Sequence, residues 1–220
     1  MMNKRKQIAV LAGMIAPILF VLVFTIEGWL RPGYIPMEMP ISALSLGPRG
    51  WIQITNFVAF GLLLLLFSRK MFLEFSKENL KRSGPILLII IALFYLLSGP
   101  FVMDHQVSLH GTIHNILGVF VFLLMPISIF IFLRQFNKKP DWQILQRWTL
   151  VLGIICAAAV VLFMFPVILL FTMPLKIPGW VEIILDWNGL FQRFAVLPFM
   201  VWLFIFSFGF YNLQRHQEES

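Results

Sequence analysis

The segment from Gly99 to Asn115, GPFVMDHQVSLHGTIHN, holds Asp104 and three of the four histidines: His105, His110 and His114. The fourth, His216, lies in the C-terminal tail. His110 and His114 are four residues apart where a helix is expected to begin, which places both imidazoles on one helix face. That spacing suits a single metal ion, with Asp104 or Glu38 supplying an oxygen ligand. Zinc held there would lower the pKa of a bound water and make a nucleophile near neutral pH. The element reads His110-Gly111-Thr112-Ile113-His114, without the general-base Glu of the HExxH pattern. The plainer alternative has the two histidines hydrogen-bonding neighbouring loops, with Gly111 allowing a close helix contact.

Arg193, about a turn into the last apolar run in the string GLFQRF, is the second candidate. A guanidinium is always charged, so burying it calls for a carboxylate or a phosphate. Asp104, Glu27 and Asp186 are the carboxylates that could serve, and an anionic lipid headgroup suits the same fork. A structural ion pair, or snorkelling to the surface, is the competing reading. The third cluster is Arg31-Pro32-Gly33-Tyr34 with Ile41-Ser42. Pro and Gly set a turn, and Tyr34 suits an interfacial anchor. A loop folded back over the helix ends is expected here; a substrate lid is the sharper version. Ser42 or Ser45 becomes a nucleophile only with a base such as His110 in reach. Gln53 and Asn56, at near-helical spacing, are expected to face inward and bond across helices.

The elements that position these groups follow from hydropathy. The 220-residue chain is 60% hydrophobic and only 12% charged, with a mean hydropathy of +0.88. A soluble domain of this length cannot hide so much apolar surface, so the class is an all-α polytopic membrane bundle. A single cysteine, Cys156, lies mid-run and rules out a disulfide framework. Apolar runs predict six transmembrane helices at about 8–29, 51–68, 85–102, 110–133, 149–171 and 189–213, each near the length a bilayer requires. They form one domain over 1–220. The first run is long for a signal-peptide core and is followed by no small-x-small cleavage pattern, so a retained helix is expected.

The net charge of +7 is not a nucleic-acid signal, because the basic residues lie in short clusters between apolar runs. With the N-terminus inside, thirteen of the 17 Lys and Arg fall on the inner side. That bias predicts both termini in the cytoplasm and a multi-pass protein of the cytoplasmic membrane. The inner charges are explained by orientation. The outer polar groups are not, and ionisable groups near hydrocarbon pair with one another or line a wet cavity. No internal repeat, P-loop, GxGxxG or haem-attachment motif occurs, and the lack of an intramembrane lysine excludes a retinal Schiff base.

The block RPGY…ISALSLGPRGWIQITNF, followed by a glycine-bearing helix, resembles the family called domain of unknown function 998, a set of bacterial and archaeal membrane proteins. The same family shows an Asp ahead of an HGxxH element at the fourth helix, matched by Asp104 and His110 to His114. It also shows an Arg near the start of the last helix, matched by Arg193. The resemblance covers nearly the whole chain. It implies six helices and a polar signature of Arg31, Ser42, Gln53, Asn56, Asp104, His110, His114 and Arg193, and it brings no activity. The family often has an acidic residue after the Gly-Tyr pair, where this chain has Ile35.

Taken together, these readings predict one outer polar pocket lined by Asp104, His110, His114 and Arg193, under a lid made by the Arg31 to Arg49 loop. Arg31, Ser42, Gln53 and Asn56 complete the expected ligand-binding set. The leading expectation is a non-enzymatic protein that binds a lipid-like or anionic ligand, with membrane lipids as partners. One alternative is a zinc-dependent membrane hydrolase acting on lipid, with His110, His114 and Asp104 as ligands. The other is a structural or partner protein whose polar groups only tie helices together.

Overall fold

The computed structural model describes residues 4–104, 108–137, 142–172 and 179–219; His105, Lys138, Lys139, Asp141 and Lys176 lie outside them. Seven α-helices and one 3-10 helix, with no strand among the described residues, make up the fold. They are α1 (Lys4–Leu30), the 3-10 helix Ile41–Ser45, α2 (Gly50–Lys77), α3 (Ser83–Leu97), α4 (Leu109–Phe136), α5 (Gln143–Thr172), α6 (Gly179–Asp186) and α7 (Asn188–Glu219). Proline sits inside α1, α4, α5 and α7 at Pro17, Pro126, Pro166 and Pro198. Apolar spanning helices tolerate it because neighbouring helices re-satisfy the backbone.

Each long helix packs against the next in the chain, and α7 returns to α1, so six helices close into a ring, with α6 as a short piece against α5 and α7. Among the described residues five helices, α1, α2, α4, α5 and α7, are long and apolar enough to cross a membrane. The chain is therefore an integral, multi-pass membrane protein of helical-bundle type. The expected third run differs: it stops at Leu97 instead of reaching 102, because Ser98, Gly99 and Pro100 turn the chain out of the helix. Its 15 residues fall short of the others. The sixth expected run begins one residue early, and α6 is an element that the hydropathy pattern does not announce.

Aromatic side chains fill the interior at two levels. Phe20 packs with Phe57, Phe60 and Tyr95 toward the end that carries the 31–49 loop. Phe132, Phe136, Trp202 and Phe206 pack toward the other end. Trp202 donates from Nε1 to Thr149 Oγ1 at 3.1 Å, so its one polar atom is paired although the ring is wholly buried.

Candidate functional site

At one end of the bundle the 31–49 loop, the turn after α3 and the first turns of α4 and α7 meet. The loop is pinned from both sides. Arg31 donates to the carbonyls of Ala43, at 3.3 Å, Leu44, at 2.7 Å, and Leu46, closing off the 3-10 helix. Glu27, buried in the last turn of α1, accepts from Arg49 Nε at 2.9 Å and Nη2 at 2.6 Å. This bidentate pair anchors the loop's far end, and the carboxylate holds the Arg49 guanidinium still more firmly charged. Arg193 donates from Nη1 to the carbonyls of Pro36, Met39 (3.2 Å) and Gly189 (2.8 Å), and from Nη2 to Tyr34 Oη at 2.7 Å. The Tyr34 hydroxyl in turn donates toward Met39 O and Pro40 O at 3.0 and 3.1 Å. Burial pushes the Tyr34 phenol above its ordinary range, with Arg193 offsetting part of that shift.

The loop also caps α7. Gly189 N–H donates to Glu38 O at 3.1 Å and Leu190 N–H to Met37 O at 2.8 Å. These are first-turn donors with no partner inside their own helix. The approach is so close that a Cβ on Gly189 would collide with the Met39 and Pro36 carbonyls.

Behind this loop lies a cavity of about 750 Å³ between the first turns of α4, the 163–164 stretch of α5 and the start of α7. Its polar wall is Ser42, Thr112, His114, Asn115, Asn188 and Gln192; its apolar wall includes Ile116, Val119, Phe120, Phe122, Phe163 and Met164. Ile116, Val119 and Phe120 are exposed on the outside of the bundle, so the cavity has a mouth among lipid-facing side chains. A smaller space of about 70 Å³ runs inward toward Phe20 and Tyr95 and shares Ser42, His114, Gly118, Phe122 and Gln192 with the larger one. Neither is lined by a Lys, Arg, Asp or Glu among the described residues.

His114 is 7% exposed, and its Nδ1 lies 2.8 Å from Phe101 O. Gln192 is 9% exposed, and its Oε1 accepts from Ile41 N–H at 2.6 Å. Ser42 Oγ makes a weak contact with Met103 Sδ at 3.4 Å.

The expected set therefore divides. Of the eight residues, only Ser42 and His114 line the cavity. Arg31 and Arg193 hold the loop, and Arg193 finds backbone carbonyls and Tyr34 where a carboxylate partner was expected; Glu27 is taken by Arg49. Gln53 and Asn56 do face inward: Asn56 Nδ2 donates to Phe20 O at 3.1 Å and to Gln53 Oε1 at 3.3 Å. Gln53 Nε2 and Asn56 Oδ1 have no hydrogen-bond partner among the described residues. Ser108 caps α4 by accepting from Gly111 N at 3.0 Å, which fixes the start of the HGxxH helix. His110 and His114 both reach Phe101, His110 through ring contact at 5.7 Å and His114 through the carbonyl. They differ in depth, however: His110 and Asp104 are exposed and His114 is buried. Among the described residues no group of three His, Cys, Asp or Glu side chains comes together to hold a metal, so the His110, His114 and Asp104 zinc set does not assemble there. Gln192 is the main residue missing from the expected set. Its signal was its place next to Arg193 and four residues after Asn188, on one face of the last helix.

A family model described as protein of unknown function (DUF998) matches residues 14–209. No curated protein and no solved structure matches the chain.

Proposed function

The chain belongs to that family of unknown function, and from this premise and its own helical membrane bundle we propose that it binds a lipid-like amphiphile in the groove between α4 and α5. The observation that carries the reading is the gradient along the cavity. Thr112, Asn115 and His114 sit in the first two turns of α4, and Asn188 and Gln192 in the first two turns of α7. Ile116 to Phe122 lie up to about 15 Å deeper along α4 at the ordinary helical rise. The mouth opens among exposed apolar side chains. A polar end, an apolar trough and a lateral opening are what a headgroup with a hydrocarbon tail requires, and the volume lies within the usual range of ligand cavities.

The same reading includes topology. The chain crosses the cytoplasmic membrane six times with both termini inside, as the distribution of Lys and Arg supports. The third crossing is α3 together with the turn at 98–101, whose Gly99 and Phe101 N–H groups still bond back to Leu96 and Leu97. The groove then faces the outer leaflet.

Gly118 supplies the test. It lines both spaces, and a Cβ there meets nothing within 4 Å, so the backbone accepts a side chain at 118 and Gly118→Leu takes up room in the groove. Lipid extracted from the purified wild type is expected to contain a bound amphiphile by mass spectrometry, and the Gly118→Leu protein to lose it at unchanged thermal stability. Equal lipid content in both would refute the groove as the binding site.

A further inference from the structure

Resting on the groove as the binding site, we infer that its polar end recognises an uncharged hydroxyl headgroup, because His114 and Gln192 present one acceptor and one donor to the same space and no charged side chain among the described residues joins them. Two backbone partners settle the chemistry of these side chains. The Phe101 carbonyl can only accept, so His114 Nδ1 carries the proton and neutral His114 keeps Nε2 as an acceptor. Ile41 N–H can only donate, so the oxygen of Gln192 faces it and the amide NH₂ remains a donor. Neither His114 Nε2 nor Gln192 Nε2 has a protein hydrogen-bond partner among the described residues. A hydroxyl both donates and accepts, so one hydroxyl satisfies the pair: its proton goes to His114 Nε2 and its oxygen accepts from Gln192 Nε2.

A carboxylate or phosphate suits the space badly. An ionised oxygen cannot donate to His114 Nε2, and it enters a cavity where the described residues supply no cation to offset its desolvation. The outer arginines described are all committed elsewhere: Arg31 and Arg193 to loop carbonyls, and Arg49 to Glu27. The remaining groups on the wall, Ser42, Thr112, Asn115 and Asn188, are neutral as well. The substrate class is thus a long-chain alcohol or a lipid whose buried end is a free hydroxyl.

The test compares four probes of one chain length on the detergent-solubilised full chain: hexadecanol, its methyl ether, hexadecanoate and hexadecyl phosphate, each titrated by native mass spectrometry near neutral pH. The ether accepts but cannot donate. Wild type is expected to bind the alcohol about five- to tenfold tighter than the ether, the range of one net hydrogen bond, and more tightly than either anion. In His114→Phe the alcohol–ether difference should vanish. In Gln192→Leu both should weaken by a similar five- to tenfold while their ratio stays. The ratio is read within one protein, so a variant that folds less well still reports it. Alcohol and ether binding equally to wild type, or either anion binding more tightly than the alcohol, would overturn the hydroxyl assignment. If all four bind with no preference for the alcohol and are lost together in Gly118→Leu, the groove stands and only the headgroup assignment falls. If none binds the wild type, the groove reading falls and takes the assignment with it.

Discussion

Arg193 shows how a charge near the membrane boundary can be satisfied without an opposite charge. Its guanidinium sits against three carbonyls and a phenol, and over the rings of Phe24 and Tyr34 at 5.8 Å each. Arg193→Ala should therefore cost about 3 kcal/mol, because several buried acceptors lose a charged donor, and lower the melting temperature in detergent by roughly 6–12 °C. Lipid content per folded protein should be unchanged, since Arg193 does not line the cavity. A melting temperature equal to wild type would show that the clamp contributes nothing. Tyr34 gives a pH signature. Its folded pKa lies above the ordinary 10.0, so its contribution is fully present below pH 10 and is lost as the pH rises through the folded value. Wild type and Tyr34→Phe should thus show parallel melting temperatures from pH 7 to 9. Above pH 10 the wild type should fall more steeply, which a pH series of thermal melts will check. Arg193 and His114 stood out in the sequence, because an always-charged fork and two histidines at helical spacing are conspicuous. Arg193's partners were not, because a backbone carbonyl is present at every residue and marks no position.

At the scale of elements, the 31–49 loop acts as the N-terminal cap of α7. Carbonyls 36 to 39 receive Arg193, Leu190 N, Gly189 N and again Arg193, so four successive acceptors face one helix start. Gly189→Ala should displace this loop, since the added Cβ collides with two of those carbonyls. The expected result is faster proteolytic cleavage within 31–49 and a lower melting temperature, while the far end of the bundle around Trp202 keeps its near-ultraviolet signal. Unchanged cleavage kinetics would mean that the loop is not docked as described. The Pro and Gly residues of 31–49 correctly announced a turn-rich segment, and the fold-back over the helix ends was expected from them. Its register on α7 was not readable, since it depends on Gly189 allowing an approach that only the folded chain reveals. The end of α3 at Leu97 follows from Ser98, Gly99 and Pro100, and α6 escaped notice because eight residues make too short a pattern for a hydropathy window.

For the molecule as a whole, the ring of helices places the 31–49 loop at one end and the α2–α3 connection at the other. Single cysteines at Met37 and Ser76, both exposed, in a Cys156→Ala background offer a direct check. An impermeant maleimide added to intact cells should label position 37 and leave position 76 unlabelled until the membrane is opened. The reverse pattern would invert the bundle and turn the groove to the inner leaflet. The sequence by itself determined the class, a helical membrane bundle, and the turn-rich character of the 31–49 loop. Hydropathy and charge bias act locally along the chain and need no knowledge of what packs against what. The tertiary structure alone decided that Arg193 faces carbonyls more than 150 residues away, that Glu27 belongs to Arg49, and that Ser42, His114 and Gln192 share one space. A buried polar group must be satisfied, but many partners satisfy it equally well in chemistry, and only the packing of the ring selects among them.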